Sequence, residues 1–140
     1  MLDFVYTKSP VIAECNNKVI TRKKYKKIIV DDLFGDILTD ENIKYLSQFK
    51  KIRFGKSFDK SIENLPEGVD EIEFVDFFDQ SIIKLPETIR YLYLGMKIYK
   101  NTFNFESDKL VMLTIKPKNF NQKINYYSNL VYLQIGRAHV

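Results

Sequence analysis

The sequence predicts a repeat solenoid, a right-handed coil in which each repeat adds one short strand to a single parallel β-sheet. The first observation is a phrase that occurs twice: the twenty residues from Ile52 and the twenty from Ile72 agree at nine positions. The second is an apolar spacing that returns along most of the 140 residues. A fixed period of about 20 residues is typical of repeat architectures, whose units bury their apolar edges only by stacking on one another.

The recurring spacing is apolar-x-x-apolar-x-apolar, and it returns at steps of 24, 20, 20, 21 and 20 residues. Its last two apolar positions flank a side chain that points the other way, which is the pattern of a strand with one buried face. Strands joined by such short, regular connections are expected to lie parallel with a right-handed connection. The repeat array therefore covers residues 25–136 in about five to six coils. Its strands are predicted near residues 27–31, 51–55, 71–75, 91–95, 112–116 and 132–136.

An aromatic residue follows each of the central strands by four or five positions, as Phe58 follows Phe54 and Phe78 follows Phe74. The return to the next strand takes about ten residues and contains proline in two repeats. These returns are expected to be extended or a single turn of 3-10 helix, so the fold contains little helix. The predicted repeat core consists of Phe54, Phe58, Ile62, Leu65, Phe74, Phe78, Ile82, Leu85, Leu92, Leu94, Phe120 and Ile124.

An Asp or Asn comes directly after most of these aromatic residues, as in Phe58-Asp59 and Phe120-Asn121. We expect its side-chain oxygen to accept hydrogen bonds from nearby backbone N–H groups and so to close the bend. The alternative is that these are ordinary polar loop residues.

The two ends of the chain depart from the period. Residues 1–24 match no repeat and are predicted to form an N-terminal cap or an irregular segment, in which VIAECNNKVIT is either a hairpin or part of the cap. Residues 40–48 are predicted to form a short helix with Asp40 as its N-cap. The final IGRAHV is the translation of ATC GGA AGA GCA CAC GTC, a string that matches a common sequencing adapter. Residues 137–140 are therefore predicted to be a non-native tail.

Composition argues against several classes of protein. The 22 Lys and Arg are interspersed with 18 Asp and Glu, so a nucleic-acid partner is not favoured, and the basic cluster RKKYKK at residues 22–27 is expected to be a solvated strand edge. The single cysteine, Cys15, allows no disulfide framework and fits a reducing compartment. No apolar run reaches the ~18 residues that span a membrane, and MLDFVYTKSP does not resemble a signal peptide. We therefore expect a cytoplasmic protein without a membrane partner.

No constellation of residues suggests catalysis. His139 is the only histidine and lies in the adapter-like tail, so neither a catalytic triad nor a zinc site is expected. The sequence contains no Gly-rich phosphate loop, and the Asp31-Asp32 pair is expected to be a solvated turn. We predict that the protein is not an enzyme and has no catalytic residue, metal or cofactor.

What remains is the outward surface of the predicted sheet, and solenoids commonly bind partners on such an extended face. Tyrosine, arginine and methionine, all present there, are enriched at protein interfaces. The sequence therefore predicts a protein-binding scaffold, and the plainer alternative is a soluble sheet surface. A nucleic-acid module would need clustered basic charge, and a glycan or small-ligand module would need a concave aromatic pocket around Tyr91 and Tyr93. The predicted partner-binding residues are Arg53, Glu73, Tyr93, Thr114, Gln134, Lys51, Glu71, Tyr91, Met112 and Tyr132.

The last predicted strand also leaves an apolar edge. Leu130, Leu133 and Ile135 continue the spacing, and an uncovered coil end exposes apolar side chains and unpaired backbone groups. We therefore expect self-association of the 140-residue chain through this C-terminal edge.

The repeats resemble a known family, the FNIP repeats, at FGKSFDKSIENLPEGV, FVDFFDQSIIKLPETI and FNQKI. The resemblance is strong over residues 49–136 and weak over residues 25–48. The chain departs from the family pattern at Tyr99-Lys100 and at Ser61, Ser81 and Lys123. The resemblance implies a leucine-rich-repeat-like fold and an origin in social amoebae or in giant viruses that infect amoebae, and so, for a viral protein, the host cytoplasm. Family members often carry an F-box-like segment before the repeats, which implies substrate recruitment to a ubiquitin ligase. Residues 1–24 are too short for its helices, so this role is expected only if an F-box lies in a missing N-terminal part of the protein.

Overall fold

A computed structural model describes residues 4–6, 27–30, 40–55 and 58–136 of the chain. They form a parallel β-solenoid of about five turns, in which each repeat of roughly 20 residues contributes one strand. All pairings are parallel, and the strands follow one another across a single seven-stranded sheet in chain order. The strands are β1 (Phe4–Tyr6), β2 (Lys27–Val30), β3 (Lys51–Phe54), β4 (Glu71–Asp76), β5 (Tyr91–Met96), β6 (Met112–Ile115) and β7 (Tyr132–Ile135).

The predicted solenoid is thus confirmed, and its strands lie where the period put them. β4 and β5 run to Asp76 and Met96 and are longer than the predicted segments. The register preserves the repeat, because Ile72 pairs with Ile52 on one side and with Leu92 on the other. Equivalent residues of successive coils therefore stack directly over one another.

The N-terminal segment contributes a strand that the period did not predict. β1 pairs in parallel with β2, with Val5 opposite Ile28, and so extends the sheet by one strand. Counted 23 residues back from the apolar triplet Tyr25, Ile28 and Val30, the sequence has Leu2, Val5 and Thr7, so the last apolar position is missing and the spacing did not reveal this strand. The hairpin expected around Asn16-Asn17 and the tail at residues 137–140 lie outside the described residues.

The predicted short helix is present as α1 (Asp40–Leu46), with Asp40 and Glu41 in its first turn. The position of these carboxylates is favourable because the N-terminus of a helix carries partial positive charge. Tyr45 and Phe49 at its C-terminal end pack edge to face, with ring centroids 5.3 Å apart, so the helix closes the first coil with aromatic contacts. The later return segments described in the structure are irregular and contain no helix.

Stacked phenylalanine rings fill the interior of the solenoid. Phe54 and Phe74 are parallel with centroids 5.0 Å apart, Phe58 and Phe78 stack at 6.1 Å, and Phe74 lies 4.2 Å from Phe78. All four side chains are fully buried. Tyr99 takes the same position in the next coil and is also buried. Stacked aromatic pairs stabilise a core beyond their buried area, by about 0.5–1.5 kcal/mol per pair.

Two predicted core residues are less covered than the rest. Phe120 and Ile124 are only partly buried, although they occupy the positions of Phe78 and Ile82. They belong to the last described coil, so no further coil packs over them. The other ten predicted core residues are buried.

The Asp residues after the aromatic rings do not close their own bends as expected. The Asp59 carboxylate accepts a hydrogen bond from the backbone N–H of Asp79 at 2.9 Å, and Asp79 accepts one from the N–H of Lys100 at 2.8 Å. Each carboxylate therefore binds the next coil, about 20 residues on. The hydrogen bond links neighbouring repeats, so the sequence of a single repeat does not predict it.

Amide side chains extend this polar ladder in the opposite direction. Asn101 Nδ2 donates to the carbonyl of Asp79 at 2.6 Å, and Gln122 Nε2 donates to the carbonyl of Asn101 at 2.6 Å. The Tyr99 hydroxyl lies 2.8 Å from the Gln80 carbonyl oxygen and 2.7 Å from that of Thr102, so its single proton can be donated to either acceptor. At the position that Phe58 and Phe78 take in the two preceding coils, this coil thus has a tyrosine, whose hydroxyl lies beside two carbonyl acceptors. The carbonyls of the irregular returns gain the partners that buried backbone requires.

We predict that Phe78→Ala lowers the free energy of unfolding by about 3–5 kcal/mol, the usual cost of truncating a buried phenylalanine. Phe77→Ala is the matched control, because the neighbouring ring is 72% exposed and its loss should change stability by less than about 0.5 kcal/mol. Urea unfolding followed by far-UV circular dichroism measures both. Equal midpoints for the two variants would contradict the inward placement of Phe78.

A second prediction concerns alkaline pH. Burial, with a smaller contribution from the Glu106 charge, raises the pKa of Tyr127 from its ordinary value of 10.0 to about 12. The unfolded chain loses this proton near pH 10 and the folded chain only near pH 12, so the free energy of unfolding should fall between those values. Tyr127→Phe should make the fall shallower, whereas Tyr126→Phe, at an exposed ring, should not. Identical pH profiles for the two variants would disprove the assignment.

Candidate groove on the sheet face

The outward side chains of the sheet form two straight rows, because the strands pair residue for residue. One row follows the first residue of each strand and the other follows the third. These rows contain the ten residues predicted to bind a partner. The first row is Lys51, Glu71, Tyr91, Met112 and Tyr132, and the second is Arg53, Glu73, Tyr93, Thr114 and Gln134.

A groove of about 540 Å³ lies over the middle of these rows. It crosses from β3 to β6, and its floor is formed between the rows by Ile72 and Leu92. Lys51, Tyr132 and Gln134 lie on the same face but outside the groove. The predicted residues that line it are Arg53, Glu71, Glu73, Tyr91, Tyr93, Met112 and Thr114.

Ion pairs form the half of the face nearer β3. Lys51 Nζ lies 3.5 Å from Glu71 Oε1, and Arg53 Nε lies 3.5 Å from Glu73 Oε1. All four side chains reach solvent, and exposed pairs of this kind contribute only about 0–1 kcal/mol. A ligand can therefore displace one of these pairs at little cost, and the four charges sum to zero.

Tyrosine rings dominate the other half of the face. Tyr93 is 37% exposed at the centre of the sheet, with the exposed Met112 on the next strand. The Arg90 guanidinium lies 5.7 Å from the centroid of the Tyr91 ring, so this ring already accepts a cation from its own chain. Tyrosine, methionine and arginine are residue types that are enriched at protein interfaces, whereas the lysine and glutamates of this face are types that are depleted there.

Gly95 is a site residue that the sequence analysis missed. It is the next outward position after Tyr93 on β5, and a Cβ built there would lie 2.6 Å from Tyr93 Cε2 and 3.3 Å from the Phe74 carbonyl oxygen. The Tyr93 ring therefore lies along the strand over Gly95, in space that the Cβ of any other residue would occupy. A glycine in a strand interior, two residues after an aromatic on the same face, is the signal that could have identified it.

The described residues contain no group of three or more His, Cys, Asp or Glu side chains that could hold a metal ion. Among the same residues there is no helix with the length and apolar character that crossing a bilayer requires.

The fold and groove define a β-solenoid with a partly aromatic sheet face. Comparison of the chain with family models, with curated proteins and with solved structures gave no match. The resemblance to FNIP repeats therefore stays a prediction from the residues.

We predict that Gly95→Ala displaces the Tyr93 ring without unfolding the protein, because the nearest obstacle is the movable end of a side chain. Nitration of Tyr93 by tetranitromethane, read by peptide mass spectrometry, should become faster as the ring leaves the sheet. Val75→Ala is the control, since Val75 pairs with Gly95 in the register. Unchanged nitration in Gly95→Ala would show that Gly95 does not hold the ring.

Proposed function

We propose that this protein is a non-enzymatic scaffold that binds a segment of a partner protein in the groove on its sheet face. The observation that carries the proposal is the coincidence of the groove with the two outward rows. The side chains on the inner face are committed to the core, whereas those of the rows remain accessible in the described part of the solenoid.

The size of the groove suits a short extended peptide that runs across the strands. Three steps of ~4.8 Å separate β3 from β6, a span of ~14 Å. An extended chain covers that distance with about four residues at ~3.4 Å each. One end of such a peptide would meet the Arg53–Glu73 pair, its middle the rings of Tyr91 and Tyr93, and its other end Met112 and Thr114 on β6. Two steps of ~4.8 Å separate Arg53 on β3 from the tyrosines on β5, so the partner is expected to place a charged residue and an apolar or cationic residue about three positions apart.

The groove also favours a second candidate, binding of a glycan. Tyr91 and Tyr93 provide ring faces next to the carboxylates of Glu71 and Glu73, which can accept hydrogen bonds from hydroxyl groups. A nucleic-acid ligand is less favoured, because Lys51 and Arg53 are each paired with a glutamate and phosphates bind best to unpaired basic groups. Recruitment of substrates to a ubiquitin ligase, and a cytoplasmic location, rest on the sequence reasoning alone.

We predict that Tyr93→Ala and Glu73→Lys each abolish binding of peptides selected on the wild-type protein from a random display library. Tyr93 is central in the groove, and loss of a central aromatic residue costs about 2 kcal/mol or more in binding, roughly thirtyfold in Kd. Tyr126→Ala is the control, since that ring is exposed outside the groove. Circular dichroism of each variant verifies that the fold is intact.

Retained binding by both groove variants would place the binding surface elsewhere. A library that yields no binder, combined with a Tyr93-dependent signal on a glycan array, would favour the glycan candidate. Binding of single-stranded DNA that weakens steeply with salt would favour a nucleic-acid ligand instead.

A further inference from the structure

A second pocket, of about 530 Å³, lies at the turns where β4 and β5 lead into their return segments. We call it the turn pocket. It shares no lining residue with the groove on the sheet face. It lies in the middle of the array, because β3 flanks β4 on one side and β6 flanks β5 on the other. The turn pocket is lined by Asp76, Phe77 and Asp79 of the β4 coil and by Lys97, Ile98 and Lys100 of the β5 coil.

Two apolar side chains of the turn pocket are exposed to solvent. Asp76 ends β4 with a φ of 55°, a left-handed conformation that aspartate adopts more readily than most residues. Of the two phenylalanines that follow, Phe78 is buried in the core and Phe77 is 72% exposed. In the next coil Ile98, directly before the buried Tyr99, is 52% exposed. Single exposed apolar residues are common, but these two line one pocket and form a patch that a partner can bury.

The two coils of the turn pocket carry opposite charges. The carboxylates of Asp76 and Asp79 bracket the apolar residue of the β4 coil. The ammonium groups of Lys97 and Lys100 bracket that of the β5 coil. The Asp79 carboxylate accepts a hydrogen bond from the Lys100 backbone N–H at 2.8 Å, and both lysine side chains are exposed. Among the residues that the structure describes, none of these four charges takes part in an ion pair.

We propose that the turn pocket binds the turn pocket of a second copy of the chain, about a two-fold axis that runs between the two turns and parallel to them. Such an axis places the β4 coil of each copy against the β5 coil of the other. Every facing pair then joins either two apolar side chains or two opposite charges, and each pair occurs twice in the dimer. The facing pairs are Phe77 with Ile98, Asp76 with Lys97, and Asp79 with Lys100.

The distribution of charge favours a second copy over other occupants. A partner of one sign would face like charges on one of the two coils, whereas a second copy presents both signs in reversed order. The adjoining coils are compatible with the same axis. Asp59 and Asn121 take the position of Asp79 and Lys100 in the coils on either side, and the axis brings this exposed carboxylate and this exposed amide together. The contact uses a surface distinct from the sheet groove and does not depend on the proposed function.

Sedimentation velocity across a concentration series tests for this dimer. The wild-type chain should form a dimer as concentration rises, and Phe77→Ser, which removes the exposed ring, should remain monomeric over the same range. Tyr126→Ser is the matched control, because its ring is 86% exposed and lies outside the turn pocket, and it should associate as the wild type does. A wild type that is monomeric at every concentration would overturn the proposal. Association of Phe77→Ser equal to that of the wild type, as contact through the C-terminal edge would give, would also overturn it.

Charge reversal tests the two-fold arrangement itself. Lys97→Glu places two acidic pairs in its own homodimer and Asp76→Lys places two basic pairs, so each should dimerise about tenfold more weakly than the wild type. An equimolar mixture of the two variants should dimerise as the wild type does, because every charged pair in the mixed dimer is again opposite. Labelling one variant with a fluorophore lets sedimentation report the mixed dimer alone.

Circular dichroism verifies that each variant is folded, since lysine adopts a left-handed conformation less readily than aspartate. Asp76→Asn keeps a residue that tolerates this conformation and should weaken the dimer by less than Asp76→Lys does. A mixture that forms no more dimer than the separate variants would overturn the proposed axis. Recovery in the mixture would support it, because neither general stickiness nor a site for another class of partner produces such recovery.

Discussion

Each coil of this protein is held in place by the coils beside it, and this dependence on neighbours governs the rest of the structure. A single repeat of roughly 20 residues has one short strand and an irregular return, with too little apolar surface to fold alone. Stacking places Phe54 over Phe74 and Phe58 over Phe78. The apolar edge of each coil is therefore buried against the coil next to it. The repeat of the sequence is the consequence, because each coil must offer its neighbour the same surface.

Polar groups obey the same constraint. In the described residues after β3, the returns contain no helix and only one isolated backbone bridge, between Ile82 and Phe103. Side chains of adjacent coils therefore supply hydrogen-bond partners to much of the remaining return backbone. Asp59 and Asp79 accept N–H groups of the following coil, whereas Asn101 and Gln122 donate to carbonyls of the preceding one. Core packing and the backbone hydrogen bonds of the returns depend on neighbouring coils. The side chains of the outward rows therefore contribute little to the stability of the fold.

The period and the alternation of side chains were sufficient to predict the solenoid, its strands and the two outward rows. Both are local patterns that repeat every 20 residues or so. Because the strands pair in register at that period, the position of a residue in its repeat determines its position in the solenoid. Two features escaped prediction because they depend on contacts between coils. The aspartates were expected to close their own bends, and Gly95 was not recognised as the support of the Tyr93 ring. β1 was missed for a different reason, since the apolar spacing that marks the other strands is broken near it by the polar Thr7.

The central claim is that neighbouring coils stabilise one another through their stacked inward side chains. A double-mutant cycle on Phe54→Leu and Phe74→Leu tests it most directly, because these rings are parallel and 5.0 Å apart. The account predicts a coupling free energy of about 0.5–1.5 kcal/mol for this pair. For Phe54→Leu combined with Leu113→Ala, three strands away, it predicts effects that add to within about 0.5 kcal/mol. Additive effects for the Phe54 and Phe74 pair as well would contradict the account.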